Sequence, residues 1–204
     1  MSTPSFAELR FYSVEPGRMH DMGARFHGPL QRLFERHGIS VVGGWQSSYG
    51  ARSPLFVYLM HWPSLEVRNH AWNGFYGDPD WYQVRTETNR GSELVERYDI
   101  NFLRPIVPLG SDELNEFEEI ELYVTRLRVG TSRLASQWIE GTAPAQLARS
   151  GGRLLGAYEY LTGDDLPRAA LFLGWKGAQD RNGALSTMEV DPLGRADRYL
   201  LHHI

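Results

Sequence analysis

Glu8, Arg10 and Tyr12 occupy every second position of an alternating segment near the start of the chain. In an extended strand such residues share one face. A carboxylate, a guanidinium and a phenol side by side can bind an anionic or enolate-like oxygen and move a proton. The same trio also suits a buried Glu–Arg pair that orders a core, since Glu121 recurs in the second half. His61 stands beside Trp62 at the end of an apolar run, and an imidazole titrates near neutrality. It is a candidate general base, with a hydrogen-bonded rim histidine as the alternative. Tyr58 alternates to the opposite face, alongside Phe56 and Trp62, as a core residue or a substrate contact. His27 precedes Gly28-Pro29, where proline frees backbone carbonyls within a helix and creates a polar spot. His70, Trp72, Phe75, Tyr76, Trp81 and Tyr82 concentrate aromatic surface that could form a lid over a flat ligand, pack as core, or face a partner. Trp45 and Gln46 point opposite ways on a further strand, so one of them reaches a cavity. The candidates for catalysis are therefore His61, His27, Arg10, Glu8 and Tyr12. Those for substrate binding are Trp45, Tyr58, His70, Trp72 and Tyr76.

Several chemistries fall away. Cys is absent, which removes disulfides, thiolate metal sites and cysteine nucleophiles. There is no HExxH, no GxxxxGK, no GxGxxG and no Gly-x-Ser-x-Gly elbow. No metal site is expected, with one assembled from distant histidines as the remaining alternative. The net charge of −4 and a pI near 6.0 argue against nucleic acid as a partner. The longest apolar stretch, residues 55–60, is far short of the roughly 20 residues of a membrane helix. The first residues carry no basic start followed by an apolar run, so a cytoplasmic protein is the expectation. With 42% hydrophobic and 23% charged residues the chain has enough apolar mass for a globular core.

The elements that must position these residues come in two copies. A shift of 113 residues aligns Glu8-Leu9 with Glu121-Leu122, Gly17 with Gly130, and Arg36 and Gly38 with Arg149 and Gly151. It also aligns Gly43 with Gly156, Gly50 and Pro54 with Gly163 and Pro167, and Trp62 with Trp175. Arg68, Asn69 and Ala71 meet Arg181, Asn182 and Ala184; Asp78-Pro79 meets Asp191-Pro192; Arg85 meets Arg198. Matched glycines imply matched turns, because glycine alone adopts positive φ without strain. Alternation predicts strands over 6–14, 40–48, 55–62 and 98–104, repeated over 119–127, 153–161, 169–175 and 199–204. Helical spacing from Met22 to His37 predicts one helix kinked at Gly28-Pro29, with further helices over 64–76 and 79–90. Each half thus reads as βαββαβ, a ferredoxin-like unit. The expected domains are 1–107 and 118–204, with a proline-bearing, acidic connector over 108–117 beginning near Pro105. The first half holds five of the seven histidines and is expected to be the working half.

Glu8-Leu9-Arg10-Phe11-Tyr12 with Pro16-Gly17, then Glu35-Arg36-His37-Gly38, Val42-Gly43-Gly44-Trp45 and Asp78-Pro79-Asp80-Trp81, resembles a NIPSNAP domain. The second half keeps Glu121-Leu122-Tyr123, Gly130, Arg149-Ser150-Gly151 and Gly156-Ala157-Tyr158. It departs with Tyr123 in the arginine's place and Gly194 in the tryptophan's. The resemblance implies an α+β fold in which two tandem ferredoxin-like βαββαβ domains form an intramolecular dimeric α/β barrel, their four-stranded sheets face to face. The wider superfamily contains cofactor-free monooxygenases, isomerases, lactone-forming enzymes, haem proteins and members without a known reaction, so fold alone supplies no function. Three readings follow. The first is a cofactor-independent enzyme that isomerises, cyclises or oxygenates a small hydrophobic or aromatic molecule, with His61 or His27 as base, Arg10 as oxyanion partner, and Trp45 and Trp72 as walls. The second is a non-catalytic ligand-binding or scaffolding protein; the third is a haem-binding barrel. A homodimer is compatible with all three.

Overall fold

A computed structural model describes residues 4–185 and 193–203. The first half runs β1 (Phe6–Val14), α1 (Met19–His27), α2 (Pro29–Arg36), β2 (Val41–Tyr49), β3 (Leu55–Trp62), α3 (Leu65–Gly77), α4 (Pro79–Asn89) and β4 (Val95–Val107). The second runs β5 (Glu119–Leu127), α5 (Ser132–Gly141), α6 (Ala143–Arg149), β6 (Gly152–Tyr160), β7 (Arg168–Trp175), α7 (Ala178–Leu185) and β8 (Leu193–His203). Among the described residues, no helix is long and apolar enough to cross a membrane.

Local chemistry explains the breaks. The expected kinked helix is two helices. Gly28 closes α1 by donating to the Ala24 carbonyl at 3.1 Å, and Pro29 opens α2 where no backbone donor is needed. A side chain at position 28 would sit 2.8 Å from the Ala24 oxygen. Ser64 caps α3 by accepting from the Val67 N–H at 3.1 Å, and Asp78 caps α4 by accepting from the Asp80 N–H at 2.9 Å. The connector starts later than Pro105, which pairs with Tyr158 inside the sheet; a short 3₁₀ turn, Ser111–Glu116, precedes β5.

All eight strands form one closed antiparallel barrel in the order β1-β3-β2-β8-β5-β7-β6-β4. The two half-sheets face each other as expected, and they are also joined at both edges, β2 to β8 and β4 to β6. Closure removes every free strand edge. The repeat is visible in the pairing. Phe6 lies opposite Trp62, and Glu119 opposite Trp175, at the same 113-residue offset. Both copies bulge at the same place, Val41/Gly43 and Leu154/Gly156. Gly17 and Gly130 take φ of 82° and 85° in equivalent turns.

The offset then changes. Ala7 pairs with Leu103, but Ile120 pairs with Leu201, an offset of 98 between the last strands. Fifteen residues are missing from the second copy between α7 and β8, and α4 has no counterpart among the described residues. The alignment of Arg85 with Arg198 is therefore corrected: Arg198 lies on β8 opposite Tyr123, where the first half has Ile100 opposite Arg10. Asp191-Pro192 lies outside the described residues, as does Ile204 of the last expected strand.

Strand alternation divides the side chains between two environments. Leu9, Phe11, Trp45, Val57 and Leu59 meet Leu122, Tyr158, Phe172 and Leu201 inside the barrel, which is packed. Glu8, Arg10, Tyr12 and Tyr58 point outward, beneath α1–α4.

Candidate functional site

Arg10 is the centre of the outward face. Its side chain is 1% exposed, and its Nε donates to Glu8 Oε1 at 2.7 Å. Its Nη1 donates to Tyr12 Oη at 2.8 Å and Tyr58 Oη at 3.1 Å, and the two phenol oxygens lie 2.7 Å apart. The guanidinium carbon sits 3.9 Å over the Trp72 ring, and Tyr76 stacks on that ring at 5.4 Å. Glu8 collects further donors: Arg68 Nη2 at 2.9 Å, Arg68 Nε at 3.0 Å and Trp62 Nε1 at 3.1 Å.

These contacts set the protonation states. Burial works against the Glu8 charge, but Arg68 and Arg10 outweigh it and hold the carboxyl below its ordinary value. Burial likewise opposes the Arg10 charge, and Tyr58, Tyr12 and Glu8 overcome it, so Arg10 stays protonated. Burial raises both phenols, Tyr58 well above its ordinary value, so both are neutral. With one carboxylate against two guanidinium groups, the cluster carries net positive charge.

Proton counting gives the cluster a direction. Each phenol has one hydrogen and accepts from Arg10. One phenol donates to the other. The second then accepts twice, and its own O–H is left to point at a ligand. That donor is polarised by the guanidinium behind it.

Above the phenols lies a cavity of about 360 Å³ between the sheet and the helices. Phe26, Phe34, Trp72, Phe75 and Trp81 wall it with aromatic surface, and Tyr76, Tyr82 and Tyr98, each at least half exposed, rim its mouth. Trp72 Nε1 is buried without a partner. Arg25, Arg85 and Glu93 line the part toward the end of α4.

The structure brings together Glu8, Arg10, Tyr12, Tyr58, Trp72 and Tyr76. It does not bring the rest of the sequence candidates to them. Trp45 is inside the barrel, fully buried, with its ring 5.7 Å from that of Phe172. His61 is on the barrel face of β3; its Nε2 lies 2.8 Å from Tyr158 Oη. Tyr158 Oη also accepts from the Leu109 N–H at 2.8 Å, and burial lowers the histidine's pKa. His27 and His70 are exposed and line no part of the cavity. A shared pocket for His61, His27, Trp45 and Arg10 is thus corrected: alternation puts a sheet between Arg10 and both His61 and Trp45, and His27, the last residue of α1, is exposed while Met22 and Phe26 of the same helix are buried. No histidine lines the cavity among the described residues, so a haem would find no histidine ligand there. No group of three or more His, Asp or Glu able to hold a metal ion occurs among them either.

Sequence reasoning missed Arg25, Glu93 and Tyr98. Arg25 stands at a helical spacing shared with Met22, which could have marked it as inward-facing.

The whole architecture recurs in solved structures. A protein provisionally assigned as a monooxygenase from Lactobacillus acidophilus NCFM matches with a TM-score of 0.63 at 9% identity, covering 98% of this chain and 94% of that one. A similarly assigned protein from Fusobacterium nucleatum matches at 0.60 and 10% identity, covering 99% and 93%. An anthrone oxidase-like protein matches at 0.53 and 13% identity, covering 99% and 93%. At these identities the likeness is one of fold. No curated protein matches the chain. The NIPSNAP family profile matches residues 7–108, the half that carries Glu8, Arg10, Tyr12 and the aromatic cavity, and with that match the chain belongs to the NIPSNAP family.

Proposed function

We propose that this protein is a cofactor-independent enzyme acting on a flat aromatic, oxygen-bearing small molecule, which it binds in the first-half cavity and activates as its enolate or phenolate. The observation that carries this reading is the Arg10–Tyr12–Tyr58 cluster at the floor of an aromatic-walled cavity. A substrate carbonyl or phenol oxygen would accept the outward phenol O–H. Negative charge developing on that oxygen would be met by a donor already oriented and by the net positive charge behind it. Aromatic walls suit a polycyclic ring system.

The nature of the walls narrows the substrate further. Glu93, the carboxylate lining the cavity, is lowered in pKa by its hydrogen bond from Arg85, and is therefore a weak base. The substrate proton passes to water through the open mouth. Such a site suits molecules whose C–H or O–H is already acidic, such as anthrones and related polycyclic ketones. Reprotonation elsewhere gives isomerisation, attack on an internal electrophile gives cyclisation, and reaction of the enolate with molecular oxygen gives oxygenation. The anthrone oxidase-like neighbour favours the last of these.

Anthrone in deuterated buffer tests the shared first step. The wild-type protein should accelerate deuterium exchange at the anthrone methylene, and the double variant Tyr12→Phe with Tyr58→Phe should reduce that acceleration by about 100-fold. Oxygen uptake in the same reaction would single out oxygenation. Binding of anthrone without faster exchange would replace this reading with a non-catalytic ligand-binding role.

A further inference from the structure

The cavity's second pole is Arg25. Arg10 and Arg25 are the buried arginines, at 1% and 5% exposure. Arg10 pairs with Glu8; Arg25 has no carboxylate partner among the described residues. Its Nε donates to Thr88 Oγ1 at 2.7 Å and its Nη2 to Asn89 Oδ1 at 2.6 Å, both neutral acceptors at the end of α4. Thr88 spends its own proton on the Val84 carbonyl at 2.6 Å, so its oxygen is committed to accepting. The guanidinium is thereby fixed in orientation, while its Nη1 donates to no protein acceptor among the described residues.

The surrounding charges do not compensate it. Arg18 pairs with Glu15 and Asp21, Arg90 with Asp21, and Arg85 with Glu93. Counting Arg25, four guanidinium groups share three carboxylates, and Arg25 is the unpaired one. Burial, then the neighbouring Arg18, lowers its pKa to about 10. A buried cation is costly without a counter-charge, and an anion brought in by a ligand relieves that cost.

We infer that Arg25 is a carboxylate-binding residue, and that the natural ligand is an aromatic acid whose carboxylate sits on Arg25 while its ketone or phenol oxygen sits on Tyr12 and Tyr58. This rests on the function proposed above and deepens it: the substrate class becomes an acidic polycycle held at two poles. A planar guanidinium with free N–H groups suits a carboxylate better than an ammonium would.

Isothermal titration of three probes decides it: the hydroxynaphthoic acid with its hydroxyl and carboxyl at opposite ends of the ring system, its methyl ester, and the parent naphthol. Wild-type protein should bind the acid at least about tenfold more tightly than the ester. Arg25→Gln should bind acid and ester alike. An acid-to-ester preference of one or less in the wild type overturns the inference without any variant, and so does a preference that survives Arg25→Gln in protein shown to be folded. Ester and naphthol binding with no gain for the acid would remove the Arg25 assignment alone. Failure of all three to bind would remove it together with the cavity's proposed function.

Discussion

On the helix-covered face of the first half-sheet, Glu8 is held by Arg10, Arg68 and Trp62; on the same face of the second, Glu121 is held by Arg198. The frame is the same: Glu8, Trp62 and Arg68 recur as Glu121, Trp175 and Arg181. What stands on the frame differs. Arg10, Tyr12 and Tyr58 are replaced by Tyr123, Thr125 and Leu171, and Phe56 and Arg25 by Ala169 and Trp138. The guanidinium has not vanished but changed strands, from β1 beside Ile100 to β8 beside Tyr123. The carboxylate and its counter-charge are common to both halves, whereas the two phenols with their aromatic cover stand in the first half alone. Glu8, which at sequence level could have served catalysis, is best understood as the residue that keeps Arg10 charged and aimed.

Removing the shared carboxylate tests this contrast most severely. Glu8→Gln leaves two guanidinium groups uncompensated and should cost about 3–5 kcal/mol of unfolding free energy at neutral pH. Glu121 is different: burial raises its pKa despite Arg198, so its charge is less firmly held than that of Glu8. Glu121→Gln should cost less stability at neutral pH than Glu8→Gln. The signs with pH also oppose. Glu8, lowered on folding, contributes stability above the unfolded carboxylate range that is lost as pH falls through its folded value. Glu121, raised on folding, contributes stability at low pH that is lost as pH rises through its folded value. Urea melts of both variants across the acid range would erase the distinction if the two behaved alike.

A smaller effect asks whether the guanidinium's strand matters. Arg198→Ile should cost about 1–3 kcal/mol, and adding Tyr123→Arg, which restores the first-half arrangement, should recover most of it. A double-mutant cycle with no coupling would mean that the cross-strand exchange is coincidental.

The smallest effect lies on the barrel face, where the repeat counterpart of His61 is Gly174. A side chain at Gly174 would meet Phe117 at 2.6 Å, so a histidine there would require Phe117 to shift. His61, lowered on folding by burial, contributes stability above its unfolded pKa that is lost as pH falls through its folded value. His61→Gln should flatten that loss by no more than about 1 kcal/mol, while anthrone exchange stays at the wild-type rate. A collapse of exchange would return His61 to the chemistry.

Much of this was legible from residue order. Period-two alternation separated Tyr58 from His61 and grouped Glu8 with Arg10 and Tyr12, and the paired glycines located the turns of both copies. Alternation names two faces, however, without saying which one is filled by the opposite half-sheet. That depends on closure of the barrel, a long-range property, and it decides why Trp45 is core and Trp72 is cavity wall. Arg25 escaped notice because a helical arginine ordinarily faces water. Its inward direction depends on Thr88 and Asn89 of α4, some sixty residues away. The strand exchange of Arg198 was hidden by an ungapped alignment that runs past a fifteen-residue deletion.

The connector after β4 has a consequence of its own. Two separate but identical subunits must carry every substitution twice, so neither can abandon its site without the other doing the same. Tethering the copies lifts that constraint: each becomes free to change alone, and here Tyr12 and Tyr58 correspond to Thr125 and Leu171 in the other copy.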